Sequence, residues 1–302
     1  MKKIEKHNET IIMHKMRKSR EDWFVDILSY SMLIILTLTI LFPFMQVITI
    51  SMSPSSVVNK SGFHLIPTKF DFSGYAQIIS NKDFLHSYLI TILRTMVGTS
   101  LSILVTVLTA YPLSKTKLPY RRSIMLFIVF TMYFQGGMIP KYLLLKNLHL
   151  HNNFMVYVLP SLVIGFTLVI TRNFFMGVPD ALEESARIDG ATDLRILFSI
   201  YLPLSVPIIA TIGLWYSVHH WNAWTDNMLY VSNKSLFVLQ YVLHQILESG
   251  TASEAEEFMH VVVHTETMKM AALVLSLIPI VSVYPFLQKY FVKGMVLGSV
   301  KG

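Results

Sequence analysis

From residue 27 to residue 287 the chain is a succession of long apolar runs, almost free of charge, separated by more polar stretches, of which those at 51–84 and 225–269 are the longest. The runs at 27–50, 85–113, 123–145, 154–170, 204–224 and 270–287 have the length that crosses a bilayer, and they predict six transmembrane helices. The fold class expected is an all-α polytopic membrane protein: a polar tail over 1–26, then one transmembrane domain over 27–302. Pro43 is expected to kink the first span, which a membrane helix tolerates where neighbours take up the freed carbonyl. Pro54, Gly62, Pro67 and Gly74 mark a loop after it, with a short helix near 75–79. Gly136, Gly137 and Pro140 interrupt the third run. The fourth, at 17 residues, has to stand nearly upright or extend past its apolar part, with Arg172 at its end.

One polar stretch is different. Residues 179–207 read PDALEESARIDGATDLRILFSIYLPLSVP and predict two short helices joined by a turn. Asp180 is placed to N-cap the first, with Glu183 completing a capping box, and Gly190 to end it in a left-handed turn. Thr192 is the expected cap of the second. Leu194, Leu197, Phe198 and Tyr201 recur there at helical spacing and predict one apolar stripe.

Composition agrees with a membrane protein: 53% of the residues are hydrophobic, 14% are charged, and the mean hydropathy is +0.53. A net charge of +7 would suit nucleic acid if it formed one face, but the basic residues stand at the ends of the apolar runs, so nucleic acid is not expected as a partner. Of 25 Lys and Arg, 17 fall on one side of the six-span topology: seven in the tail, four after the second span, three around 172–206 and three at the end. Five fall on the other side, and Arg94, Lys141 and Lys269 lie in or at the edges of spans. Basic residues favour cytoplasmic loops, so both termini and the 179–207 stretch are expected in the cytoplasm. The first run lacks a signal-peptide cleavage pattern and reads as a retained anchor. With no cysteine, disulfides and thiolate metal sites are excluded.

Glu184-Ser185-Ala186, three residues, Gly190, nine residues, Ile200, one residue and Leu202-Pro203 resemble the EAA loop of permease subunits in ABC importers, departing only by Ser185 for an alanine. Asp189-Gly190-Ala191 and Leu202-Pro203-Leu204-Ser205 resemble the carbohydrate-uptake, MalG-like branch. Phe134-Gln135-Gly136-Gly137-Met138-Ile139-Pro140 is similar to its complex-oligosaccharide (LplC/YtcP-like) subgroup, and Gly298-Ser299-Val300-Lys301-Gly302 to the branch's tail, which in that family can reach between the ATPases. The resemblance implies a type I importer permease fold in a bacterial cell membrane, with a coupling loop at 172–206. It also implies a second permease subunit, two ATP-binding subunits, an extracellular solute-binding protein and an oligosaccharide cargo, besides the membrane lipid. In the family the EAA helix docks in a groove of the ATPase. Carried over, Glu184 faces a basic residue there, Glu183 and Asp189 flank the contact, and Ser185, Ala186, Gly190 and Ala191 complete the coupling segment.

No Gly-Lys dipeptide occurs, so a P-loop is absent; no catalytic residue and no cofactor of the chain's own are expected, and ATP and Mg belong to the partner ATPase. Arg94 is the clear charge inside a span, and it either lines a passage, snorkels outward or caps carbonyls. Tyr216, His219, His220, Trp221 and Trp224 crowd the outer half of the fifth run, where rings with polar edges suit sugars or anchor a helix at the interface. Arg94, Tyr216, His220, Trp221 and Trp224 are therefore the candidate substrate path. His260 and His264 lie four apart near Glu256 and Glu257, but without a third ligand no metal site is predicted. Alternatives left open are a permease for a peptide or other polar solute, an ion-coupled secondary carrier, which the lack of intramembrane carboxylates disfavours, and a membrane scaffold.

Overall fold

The computed structural model describes residues 20–58, 62, 65–248 and 266–299, with side chains described up to 283. Residues 1–19 of the tail, the acidic and histidine residues of 254–264, and Val300-Lys301-Gly302 lie outside the described residues.

The described residues are helical, without strands. The first helix, α1 (Arg20–Ser51), runs through Pro43 and begins inside the stretch predicted as a tail. Then α2 (Ser73–Ser80) covers the short helix expected near 75–79, and α3 (Lys82–Ser114) the second span. The third predicted span is two helices, α4 (Arg121–Tyr133) and α5 (Met138–Asn147), at 113° to one another. Gly137, at φ +85°, makes that turn, and Pro140 sits in the first turn of α5, where its missing N–H costs nothing. The fourth is one-turn pieces over Phe154–Ser161 followed, after a 50° bend, by α6 (Gly165–Phe175), which extends past its apolar part. Next come α7 (Asp180–Ile188), α8 (Asp193–Leu204), and α9 (Val206–Asn222) at 86° to α8. The chain continues through α10 (Thr225–Tyr230), α11 (Leu239–Glu248) and α12 (Glu266–Ser299). Three helices are each long and apolar enough to cross a membrane (α1, α3 and the first part of α12), and the three bent pairs bring the number to as many as the six expected if each pair counts as one span.

The bundle is built around α3, which packs along α9 and α6; α12 closes it from the other side against α9, α2 and α1. Its core has two large clusters and a smaller one of Ile208, Ile212 and Tyr216. One large cluster gathers Phe84, Ile90, Tyr157, Trp221 and Leu239; the other gathers Val107, Ala110, Phe175, Ile196 and Tyr201 under the α7–α8 hairpin. The outside is apolar too: Phe24, Met32, Ile35, Leu38 and Phe44 of α1 are all exposed. Water does not tolerate such a surface on a monomer of this size, whereas a bilayer does, because hydrocarbon makes no demand on side chains that already hide their backbone hydrogen bonds.

Close approach of α3 to α9 depends on Gly98. A Cβ there would lie 2.5 Å from His220 Nε2, and His220 is wholly buried and cannot swing aside. Gly98→Ala is expected to destabilise the bundle by about 1–3 kcal/mol through overpacking. Adding His220→Ala opens the space and recovers part of the loss, read as detergent unfolding midpoints of the purified variants.

Candidate functional site

The α7–α8 hairpin is held by one carboxylate. Glu183 lies a turn inside α7, so its side chain points back over the end of α3 rather than out to solvent. Its Oε2 accepts from Lys115 Nζ and, at 3.0 Å, from the Tyr201 hydroxyl; its Oε1 accepts from Arg187 Nε at 3.1 Å and Nη2 at 2.9 Å. Lys115 also donates to Tyr201 at 2.6 Å and lies over the rings of Tyr111 and Tyr201, 4.3 and 4.0 Å from their centroids. Arg187 reaches on to Asp193 in the first turn of α8. Tyr201 stands edge-on to Tyr111 and Phe175 at 5.0 and 5.6 Å. Four elements therefore meet at one point: the end of α3, the end of α6, α7 and α8. A cleft of about 400 Å³ opens beside them, lined by Lys115, Lys117, Asp180, Glu184 and Arg187 among others.

The capping box is not formed. Asp180 is the first residue of α7 and makes no capping bond, and Glu183 is drawn away by the two cations and the phenol. At the far end the turn is as expected: Gly190 has φ +76°, the Gly190 N–H donates to Arg187 O at 3.0 Å and the Ala191 N–H to Ala186 O at 2.9 Å. Thr192 caps α8 by accepting from Arg195 N at 3.4 Å. The single apolar stripe is corrected. The helix widens to a π turn over Leu197–Tyr201, which shifts its phase, so Leu197 and Tyr201 are buried with Ile196 while Leu194 and Phe198 are exposed.

The coupling residues divide between two faces. Glu183 is mostly covered; Ala186 and Ala191 pack inward against the core beneath. Glu184, Ser185, Asp189 and Gly190 are exposed, and beside them the apolar Leu182, Ile188 and Leu194 face outward, Ile188 at 86%. Lys115, and the hydroxyl of Tyr201, which the sequence places only in an apolar stripe, complete the lock. The only hint of it in the sequence was a lysine directly after a predicted span.

Burial pushes the Glu183 carboxyl up, but hydrogen bonds from Lys115 and Arg187, the Lys115 charge and the Tyr201 hydroxyl outweigh it, and it lies below the usual carboxylate range. A depressed carboxylate contributes stability that is full above its unfolded value and is lost as pH falls through the folded one. A spin label at Ile188→Cys is therefore expected to keep constant mobility through neutral and mildly acidic pH and to loosen only once the pH falls below the ordinary glutamate value of about 4.3. Glu183→Gln is looser throughout and shows no acid step.

The substrate-path residues lie elsewhere and are closed in. Arg94, Tyr216 and His220 are at most 1% exposed, Trp221 is buried and Trp224 is half-buried. Arg94 does not snorkel: Nη1 donates to Ala223 O at 3.0 Å and to Asp226 Oδ1 at 3.1 Å, Nη2 to Asp226 Oδ2, and the guanidinium lies 4.6 Å from the Tyr157 ring centroid. The Tyr157 hydroxyl lies 2.9 Å from Asn227 Oδ1 and 2.8 Å from Leu236 O, its single proton directed between these two acceptors. Asp226, just beyond the fifth run, is the partner the sequence did not reveal. The Tyr216 hydroxyl sits 2.8 Å from Thr106 Oγ1 and 2.7 Å from Thr167 Oγ1, bracing α9 against α3 and α6. Trp224 lies against His244, 3.8 Å between ring centroids, and Trp221 edge-on to Tyr88. The Phe134-to-Pro140 stretch is exposed; it forms the turn between α4 and α5 and the first residues of α5.

Residues 93–297 match the family described as binding-protein-dependent transport system inner membrane component. The chain is 41% identical to the polygalacturonan/rhamnogalacturonan transport system permease protein YtcP of Bacillus subtilis, over 92% of this chain and 98% of that protein. It is 38% identical to the protein LplC of the same organism, over 86% and 89%. Among solved structures it is similar to a chain of a bacterial ABC transporter involved in the import of the acidic polysaccharide alginate, with TM-score 0.84 and 33% identity over 90% of this chain and 98% of that one. A chain of the alginate ABC transporter in complex with an alginate pentasaccharide-bound periplasmic protein has TM-score 0.54 and 16% identity over 90% and 96%, and shares the fold.

Proposed function

Starting from the fact that this chain belongs to the family of inner membrane components of binding-protein-dependent transport systems, we propose that it is the permease subunit of an ATP-driven importer of acidic oligosaccharides. The observation that carries the mechanism is the two-faced hairpin: Glu183 locks α7 to its own bundle through Lys115 and Tyr201, while Glu184, Asp189 and the apolar Ile188 face outward. A helix that is rigidly tied on one side and bare on the other transmits a push. The outward face docks on an ATP-binding subunit in the cytoplasm, where both termini also lie. Two such subunits bind the ATP and Mg, and a second permease subunit completes the passage. Glu184, near the start of α7, keeps its charge free for a basic residue on the ATPase.

Closure of the ATPases moves the hairpin, Lys115 and Tyr201 carry the movement into α3 and α8, and the passage beside Tyr216 and Trp221 opens to one side at a time. The shift needs contacts that differ between the two states, and the hairpin supplies them on its outer face. The cargo class rests on the relatives named for polygalacturonan, rhamnogalacturonan and alginate transport, all polymers carrying uronic acids. An external binding protein delivers it.

The test is reconstitution of this chain in vesicles with its partner permease, ATPases and binding protein. Uronate oligosaccharides are expected to stimulate ATP hydrolysis and to accumulate only when ATP is present. Accumulation driven by an ion gradient without ATP, or stimulation by peptides and not by sugars, overturns the reading.

A further inference from the structure

Beside the coupling hairpin, at the same end of the bundle, Arg121 and Arg122 in the first turn of α4 and Arg172 in the last turn of α6 converge on a cleft of about 380 Å³. The fourth lining residue is Met125, so no carboxylate faces the three guanidinium groups. The acceptors they do find are neutral. Arg172 donates from Nε to Leu113 O at 3.1 Å and from Nη1 to Asn173 Oδ1 at 2.9 Å, and Arg121 Nη2 lies 3.2 Å from Met176 Sδ. Arg122 is exposed and has no hydrogen-bond or ion-pair partner among the described residues. Like charges brought together on two helices without a counter-charge repel one another unless an anion sits between them.

The surroundings say which anion. Along α4 below the cluster, Ile124, Phe127 and Phe130 follow one another at three-residue spacing and are exposed, forming an apolar track that starts at the guanidinium groups. A soluble phosphate would use the charges and leave the track bare; a phospholipid uses both, its headgroup on the arginines and an acyl chain along the track. We infer that Arg121, Arg122 and Arg172 bind the headgroup of an anionic phospholipid whose acyl chain lies against Ile124, Phe127 and Phe130. Arg172 bonds the last turn of α3, one residue short of the lysine-bearing linker, so the bound lipid braces the frame on which the hairpin pivots.

The experiment uses this chain purified with its partner subunits and placed in nanodiscs of equal phosphatidylglycerol and phosphatidylcholine, with bound lipid read by native mass spectrometry. Phosphatidylglycerol is expected to be enriched roughly tenfold or more on the intact complex. Arg122→Gln, which breaks no bond among the described residues, lowers that enrichment about fivefold, and Arg121→Gln with Arg122→Gln brings it close to unity, while Lys117→Gln in the neighbouring cleft leaves it in place. Enrichment that survives the double variant, or is lost equally in Lys117→Gln, overturns the site. Displacement of the lipid by inorganic phosphate at constant ionic strength overturns the lipid and makes it a site for a soluble anion. Size-exclusion chromatography confirms that each variant is assembled, and none of these readouts depends on which cargo the protein carries.

Discussion

Asp226→Ala is expected to cost the bundle about 3–5 kcal/mol, because it leaves the Arg94 guanidinium, 1% exposed, with no counter-charge in the interior. The remaining acceptor is Ala223 O, and a single carbonyl does not offset a desolvated cation. Arg94→Met is milder, since Asp226 retains 22% of its side-chain exposure and can be hydrated once its partner is gone. Replacing both, Arg94→Met with Asp226→Leu, recovers most of the loss because no charge is then buried. The order Asp226→Ala, Arg94→Met, double variant, from least to most stable in detergent unfolding titrations, is the expected signature. A double variant as unstable as Asp226→Ala would mean that the pair acts through shape, not charge. The same pair joins α3 to the segment after α9, so its loss also frees α10 and α11, which Tyr157 and Asn227 tie to the same point.

The second large effect falls on Gly190 and separates backbone strain from docking. Apart from its chain neighbours, no described residue lies within 4 Å of a Cβ at Gly190, so a side chain there projects away from the described part of the bundle. What Ala suffers is the left-handed backbone, φ +76°, at about 1–2 kcal/mol. Asn adopts that conformation more readily and costs less. Neither projects far. Trp does, across the exposed face that carries Ser185 and Asp189, and Gly190→Trp is expected to leave the protein inserted and assembled while uptake falls on the order of a hundredfold, the scale of a lost interface anchor. Uptake in reconstituted vesicles against ATP hydrolysis measures it. If Ala and Trp fall equally, strain in the turn is responsible; if Trp transports normally, the hairpin is not a docking surface.

Much of the chain was legible because the relevant signals are local. The bilayer-length apolar runs needed only a count, and α3 and α9 lie close to where the runs predict them. Gly190 and Thr192 act within one turn of themselves, and both took the roles that their residue types favour. The Glu183 capping box failed for a reason of the opposite kind: Lys115 is 68 residues away, and a charge-assisted bond to a lysine outcompetes a bond to a backbone N–H that solvent can already satisfy. Arg94 and Asp226, 132 residues apart, are a second case.

What the amino-acid order determined alone is therefore the solvent this protein lives in, the lengths of its apolar segments and the turn chemistry of the coupling hairpin. The tertiary structure decided the angles of the bends, 113° at the break that Gly136, Gly137 and Pro140 announce and 50° and 86° elsewhere, the inward turn of Glu183, and the choice of which apolar faces meet protein and which stay outside. The reason lies in the bilayer: in water an amphipathic helix reveals its inner face, but in hydrocarbon both faces are apolar, the periodic signal vanishes, and orientation is set by helix packing and by rare polar pairs that only folding brings together.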